Sequence, residues 1–190
     1  MPDALKAAAT LADGHLTVVA GIPIPSTSPL FLAIVALHVL AGLVCVVVGA
    51  IAMFSPKRRG RHSQFGAVYV WGLSVVFVSA TALSAMRWAE DQPLFVLGLG
   101  AFALALFGRT ALRRRWRAWP QLHIAGMGGS YIVLLTAFYV DNGASLPIWR
   151  SLPPLTYWLG PAAVGLPIIA YAMLRNPVAR AGKLLAGPKR

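Results

Sequence analysis

The stretch Leu30–Phe54, LFLAIVALHVLAGLVCVVVGAIAMF, carries no formal charge over its whole length, and SPKRRGRH follows it at residues 55–62. A helix of that length rises about 37 Å at 1.5 Å per residue, more than the roughly 30 Å hydrocarbon core of a bilayer. It is apolar on every side and has no face to turn to water, so it reads as a membrane-spanning helix. The basic cluster behind it marks where the span ends.

Working outward, four more apolar runs of suitable length follow, at about residues 64–88, 93–112, 121–140 and 155–174. The expected fold is therefore all-α, a polytopic bundle of five transmembrane helices spanning residues 30–174. An N-terminal segment, residues 1–29, precedes the bundle, and a basic tail, residues 175–190, follows it. Hydrophobic residues make up 58% of the chain and charged residues 12%, with a mean hydropathy of +0.70. These values exclude an ordinary soluble domain.

Charge gives the expected orientation. Lys57, Arg58, Arg59 and Arg61 follow the first span; Arg109, Arg113, Arg114, Arg115 and Arg117 follow the third. Arg175, Arg180, Lys183, Lys189 and Arg190 follow the fifth, which puts fourteen of the 17 basic residues in alternate segments. All five acidic residues, Asp3, Asp13, Glu90, Asp91 and Asp141, lie in the other segments, with only Lys6, Arg87 and Arg150. Short loops rich in Lys and Arg stay on the cytoplasmic side during insertion. The N-terminus is expected outside and the C-terminus inside, in a bacterial cytoplasmic (inner) membrane. The net charge of +12 is then accounted for by topology and anionic headgroups, and no nucleic-acid partner is expected. The sole cysteine, Cys45, lies within the first span, so no intrachain disulfide can form.

Local signals refine the outline. Residues 4–20 could form a short surface helix, and Pro23, Pro25 and Pro29 then favour an extended lead-in. Asp3 and Asp13 argue against a signal peptide. Pro93 and Pro120 suit the first turn of a helix, whereas Pro161 and Pro167 should kink the fifth span. Gly143 is expected to supply a left-handed cap after Asp141-Asn142. Asp141 is unfavourable beside the negative end of the helix dipole and so suggests a partner, Arg87 or Arg150. Trp88, Trp116, Trp119, Trp149 and Trp158 fall near span ends, as an interfacial aromatic belt requires. The two hairpins also echo each other, with His62, Gly66 and Tyr69 in one and His123, Gly126 and Tyr131 in the other.

No Asp, Glu, Lys or Arg occupies the middle of any span, so the charged relays usual in pumps and coupled transporters are absent. Histidines, hydroxyls and small residues remain. His38, about 12 Å below the outer edge of the first span, shares a helix face with Gly42, Cys45 and Gly49. Such a face either packs a neighbouring helix closely or leaves room for a flat cofactor beside a ligating imidazole. His62 and His123 open the second and fourth spans at one depth, near the basic loops. His62 is equally placed to touch headgroups, and the Gly126–Ser130 run beside His123 either packs a helix or admits a cofactor. His38 lies about 13 Å above His123 if the helices are upright, so one group held by both is disfavoured. His15, in the outer segment, is expected to be solvated.

Leu37-His38 with Gly42 and Gly49, the basic loop into His62 and Gly66, and the block from His123 through Gly126, Met127, Ser130, Tyr131 and Asp141 to Gly143 resemble a family of predicted bacterial multi-pass membrane proteins without assigned function. The likeness covers roughly residues 30–170. A looser one is to haem bundles of the cytochrome b and ferric-reductase type, although two well-matched histidine pairs are lacking. It implies haem b as the cofactor, with His62 and His123 as ligands to the iron, Gly66 and Gly126 beside them, and His38 lining a separate outer site, for example for quinone. A structural or assembly subunit of a larger membrane complex is the alternative. A transporter of a small neutral solute is the third. The expected partners are thus the lipid bilayer and either a quinone or a larger complex.

Overall fold

The computed structural model describes residues 17–19, 22–24, 28–56 and 60–175. Five long helices dominate it: α1 (Pro29–Phe54), α2 (Arg61–Met86), α3 (Trp88–Arg114), α4 (Trp119–Asn142) and α5 (Leu155–Arg175). All five are long and apolar enough to cross a membrane. Ahead of them, β1 (Thr17–Val19) and β2 (Ile22–Ile24) form a small antiparallel pair. At 17–19 the expected surface helix is thus replaced by a strand. Thr17, Val18 and Val19 include only β-branched residues, which favour extended backbone. The rest of that expectation, residues 4–16 and 20, and the basic tail beyond Arg175 lie outside the described residues.

Helix ends follow local chemistry, with two departures from expectation. First, α3 begins at Trp88 rather than near residue 93, after a single non-helical residue, Arg87. Glu90 and Asp91 occupy its first turn, where carboxylates favour the positive end of the helix dipole, and Arg87 pairs with Glu90. Pro93 therefore sits inside the helix. Second, Gly143 is not left-handed; its backbone is right-handed helical (φ −55°, ψ −40°) and leads into a 3-10 turn, Gly143–Ser145. A Cβ there would lie 2.9 Å from the Tyr157 ring, so glycine is needed for close approach. The left-handed residue is Arg115, ending α3 at φ 52°. Pro161 and Pro167 lie inside α5, as expected, and each removes one i→i−4 hydrogen bond. Pro120 lies in the first turn of α4, as expected.

The helices pack as two hairpins, α1 with α2 and α3 with α4, joined along α2 and α3; α5 packs against α4. The core lies between the hairpins and contains Cys45, Tyr69, Val70, Leu73, Val76, Ala101, Ala105 and Leu134. Outside it the surface is apolar: Leu37, Val39, Leu40, Leu43 and Val47 of α1 are all exposed. In water that surface would be costly at about 25 cal/mol per Å²; against lipid chains it costs nothing.

Lipid is as apolar as leucine, so close packing has to hold the helices together. Glycines supply it. The backbones of α3 and α4 meet at Gly108 and Gly126, where a Cβ on Gly126 would lie 2.7 Å from Gly108 Cα and from Leu104 O. Gly49 receives the Tyr131 ring, and Gly72 the Cys45 sulfur.

Candidate functional site: a histidine pair on a polar seam

Helices α2 and α4 run in the same direction and face each other across a seam of side chains. His62 and His123 meet at its basic end, with ring centres 6.3 Å apart and planes nearly perpendicular at 81°. Seven residues further along each helix, Tyr69 Oη and Ser130 Oγ are 2.9 Å apart. The two pairs share one sequence offset, so a single parallel register places both. Leu73 and Leu134, at the same offset again, are both in the core. The register thus sets the echoed histidines together, while Tyr69 bonds Ser130 rather than its counterpart Tyr131.

Each histidine of the pair is anchored to the helix before its own. His62 Nδ1 lies 2.8 Å from Ala52 O on α1, and His123 Nδ1 lies 3.1 Å from Gly108 O on α3. A carbonyl only accepts, so Nδ1 carries the proton in both rings. In neutral imidazole that leaves Nε2 as the electron-pair donor. A carbonyl holding Nδ1–H is the usual outer support of a metal-binding histidine, fixing its tautomer and raising its basicity. Ala52 O is also one of the last carbonyls of α1, which the helix itself cannot satisfy.

The glycines beside the two rings differ. Gly66, one turn beyond His62, would carry a Cβ that meets nothing within 4 Å. Gly126, by contrast, lies against Gly108, so the space on its face is filled by α3. The packing reading accounts for Gly126, and open space remains on the Gly66 side alone.

His38 is not brought to this pair. Its Nδ1 is 2.9 Å from Ser79 Oγ, and Ser79 lies about 25 Å beyond His62 along α2 at 1.5 Å per residue. Ser79 Oγ donates to Val75 O and Val76 O, so it accepts from His38. Asp141, at the acidic end, accepts a hydrogen bond from Asn142 Nδ2 (3.1 Å) and lies within electrostatic range of His38, Arg87 and Asp91. Among the expected partners, Arg87 is thus nearby, though paired with Glu90.

Between the two ends the polar groups satisfy one another. Ser130 Oγ donates to Met127 O, Tyr131 Oη to Val46 O at 2.9 Å, and the Cys45 thiol points at Tyr69 O at 3.7 Å. Tyr69→Phe is expected to cost about 0.5–1 kcal/mol, since Ser130 keeps its bond to Met127 and hydrogen bonds within membranes are worth little more. Unfolding by SDS titration of the purified protein checks this; a loss above 3 kcal/mol would contradict it. Ser79 and Gly108 did not stand out in the sequence. The signal for Ser79 was a hydroxyl within an apolar run; for Gly108 there was none, because its role depends on a partner helix.

Five apolar helices closed around a short polar seam define a multi-pass membrane protein. Residues 35–167 match the family described as "Predicted membrane protein (DUF2306)", a match over well more than half of the chain, and the chain belongs to that family. Its function is unknown. No curated protein and no solved structure gives a significant match.

Proposed function

We propose that the chain holds a haem b at its basic end, with His62 and His123 as the axial ligands, and serves in electron transfer within the membrane. The observation that carries this reading is the pair of carbonyl-anchored imidazoles with centres 6.3 Å apart. With Nδ1 of each ring held by a carbonyl, the two Nε2 atoms would be the groups that hold the haem iron. The donor set points the same way. Two imidazoles are fewer than the four protein ligands of a structural zinc site. A porphyrin supplies four nitrogens itself and asks the protein for one or two axial ligands.

A haem bound there would supply one-electron chemistry, its potential set by the axial ligands and their hydrogen bonds. The chain's own contribution is orientation. Ala52 O and Gly108 O fix the two rings, Gly66 leaves space beside His62, and Arg61, Arg109 and Arg113 at the same end match the negative charge of propionates. The absorption spectrum of protein expressed with ample haem tests the reading. Soret and α bands that sharpen on reduction are expected; their absence would reject it.

The orientation, N-terminus outside and C-terminus inside a bacterial inner membrane, belongs to the same proposal and rests on the alternation of charge. A C-terminal fusion is expected to be active as a cytoplasmic fluorescent reporter and inactive as a periplasmic phosphatase; the reverse would overturn it. A docking role in a larger membrane complex is the second reading. It is favoured by Gly42, over which a Cβ would meet nothing within 4 Å, and by the uncovered length of α1. That reading expects a partner that survives detergent, and a monodisperse lone monomer would count against it.

A further inference from the structure

At the acidic end, far from the histidine pair, the connection between α4 and α5 builds an open apolar groove. It has a volume of about 240 Å³ and is lined by Phe138, Tyr139, Leu146, Pro147, Ile148 and Trp149. Its walls are tied together by ring and hydrogen-bond contacts. Trp149 stacks on Tyr139 with ring centres 4.0 Å apart, and Tyr157 Oη donates to Trp149 O at 3.0 Å. Backbone bonds from Leu146 N to Gly143 O (3.2 Å) and from Arg150 N to Leu146 O (2.9 Å) close the turn. Yet Ile148 is 77% exposed and Phe138 46%. A hydrogen-bonded loop that leaves such side chains uncovered calls for an apolar neighbour.

We infer that this groove seats an acyl chain of an anionic phospholipid, with Arg150 holding the phosphate. Three observations favour that occupant. The groove follows directly from the end of a membrane-spanning helix, where aromatic residues mark the bilayer interface. Its volume of about 240 Å³ suits a stretch of hydrocarbon chain rather than a whole helix of a second copy. Arg150 follows Trp149 in the same 3-10 turn, Trp149–Ser151, and is exposed. Among the described residues it makes no ion pair, whereas Arg87, the other arginine of that end, is paired with Glu90. A guanidinium offers a planar fork that fits phosphate oxygens. The neighbouring carboxylates Glu90, Asp91 and Asp141 discourage anionic headgroups elsewhere around that rim, so the contact is local.

Two measurements on the full-length protein test this. In native mass spectrometry with equal amounts of phosphatidylglycerol and phosphatidylcholine added, preferential retention of phosphatidylglycerol is expected, falling about fivefold in Arg150→Gln. In nanodiscs made with phosphatidylglycerol brominated on its acyl chains, the part of the fluorescence lost in Trp149→Phe should be quenched. Equal retention of both lipids, retention unchanged in Arg150→Gln, or an unquenched Trp149 component would each overturn the assignment. So would a dimer dissociated by Ile148→Asp whatever lipid is present, because a second copy would then fill the groove.

Discussion

His123→Ala is expected to abolish the Soret and α bands of the purified protein while leaving its elution volume in detergent unchanged. The substitution removes one of the two proposed haem ligands and the hydrogen bond from Nδ1 to Gly108 O. That bond is worth about 0.5–1.5 kcal/mol, too little to unfold a bundle whose helices are held by packing. His62→Ala should act in the same way, losing the bond to Ala52 O. His38→Ala should leave the spectrum intact, since His38 is bonded to Ser79 at the other end of α2. A full spectrum in His123→Ala would reject the ligand assignment. Loss of the spectrum in His38→Ala together with its survival in His62→Ala would move the site to the acidic end.

Gly126→Ala is expected to destabilise the bundle by about 2–3 kcal/mol or more, the range of overpacking in a filled interior. The new Cβ would meet the Gly108 and Leu104 backbones at 2.7–2.8 Å, and backbone cannot swing aside as a side chain can. The α3–α4 crossing must then open. Because His123 lies one turn before Gly126 and is tied to Gly108 O, any haem spectrum should weaken as well. Gly42→Ala is the control. A Cβ there meets nothing within 4 Å, and alanine is the better helix former by up to about 1 kcal/mol. SDS-titration midpoints of the two variants measure the contrast; equal midpoints would show that α3 and α4 do not meet as described.

The spans were legible because each is a long apolar run bounded by charge or proline, and Leu30–Phe54 shows this most plainly. Errors gathered at the ends. Pro93 looked like a first-turn proline because its apolar run begins there, yet Glu90 and Asp91 stabilise an earlier turn through the helix dipole. Gly143 looked like a left-handed cap, but the ring that requires it, Tyr157, comes from the next helix. Glycine has no side chain to reveal its purpose, and only the neighbouring element shows whether it serves a turn or a close approach. The pairing of His62 with His123 was legible as a shared depth. Their carbonyl anchors were not.

The sequence by itself determined the solvent of this protein, the number of its crossings and the confinement of formal charge to the two rims. Those properties depend on the composition of contiguous segments, and the bilayer reads them one helix at a time. Tertiary structure alone decided which faces meet. The common register of α2 and α4 sets His62 against His123 and Tyr69 against Ser130. The crossing at Gly108 and Gly126 closes one glycine face, while the face at Gly66 stays open. An apolar helix has lipid or protein as equally good neighbours on any side, so its own residues leave the choice to shape. That choice is made only when another helix arrives.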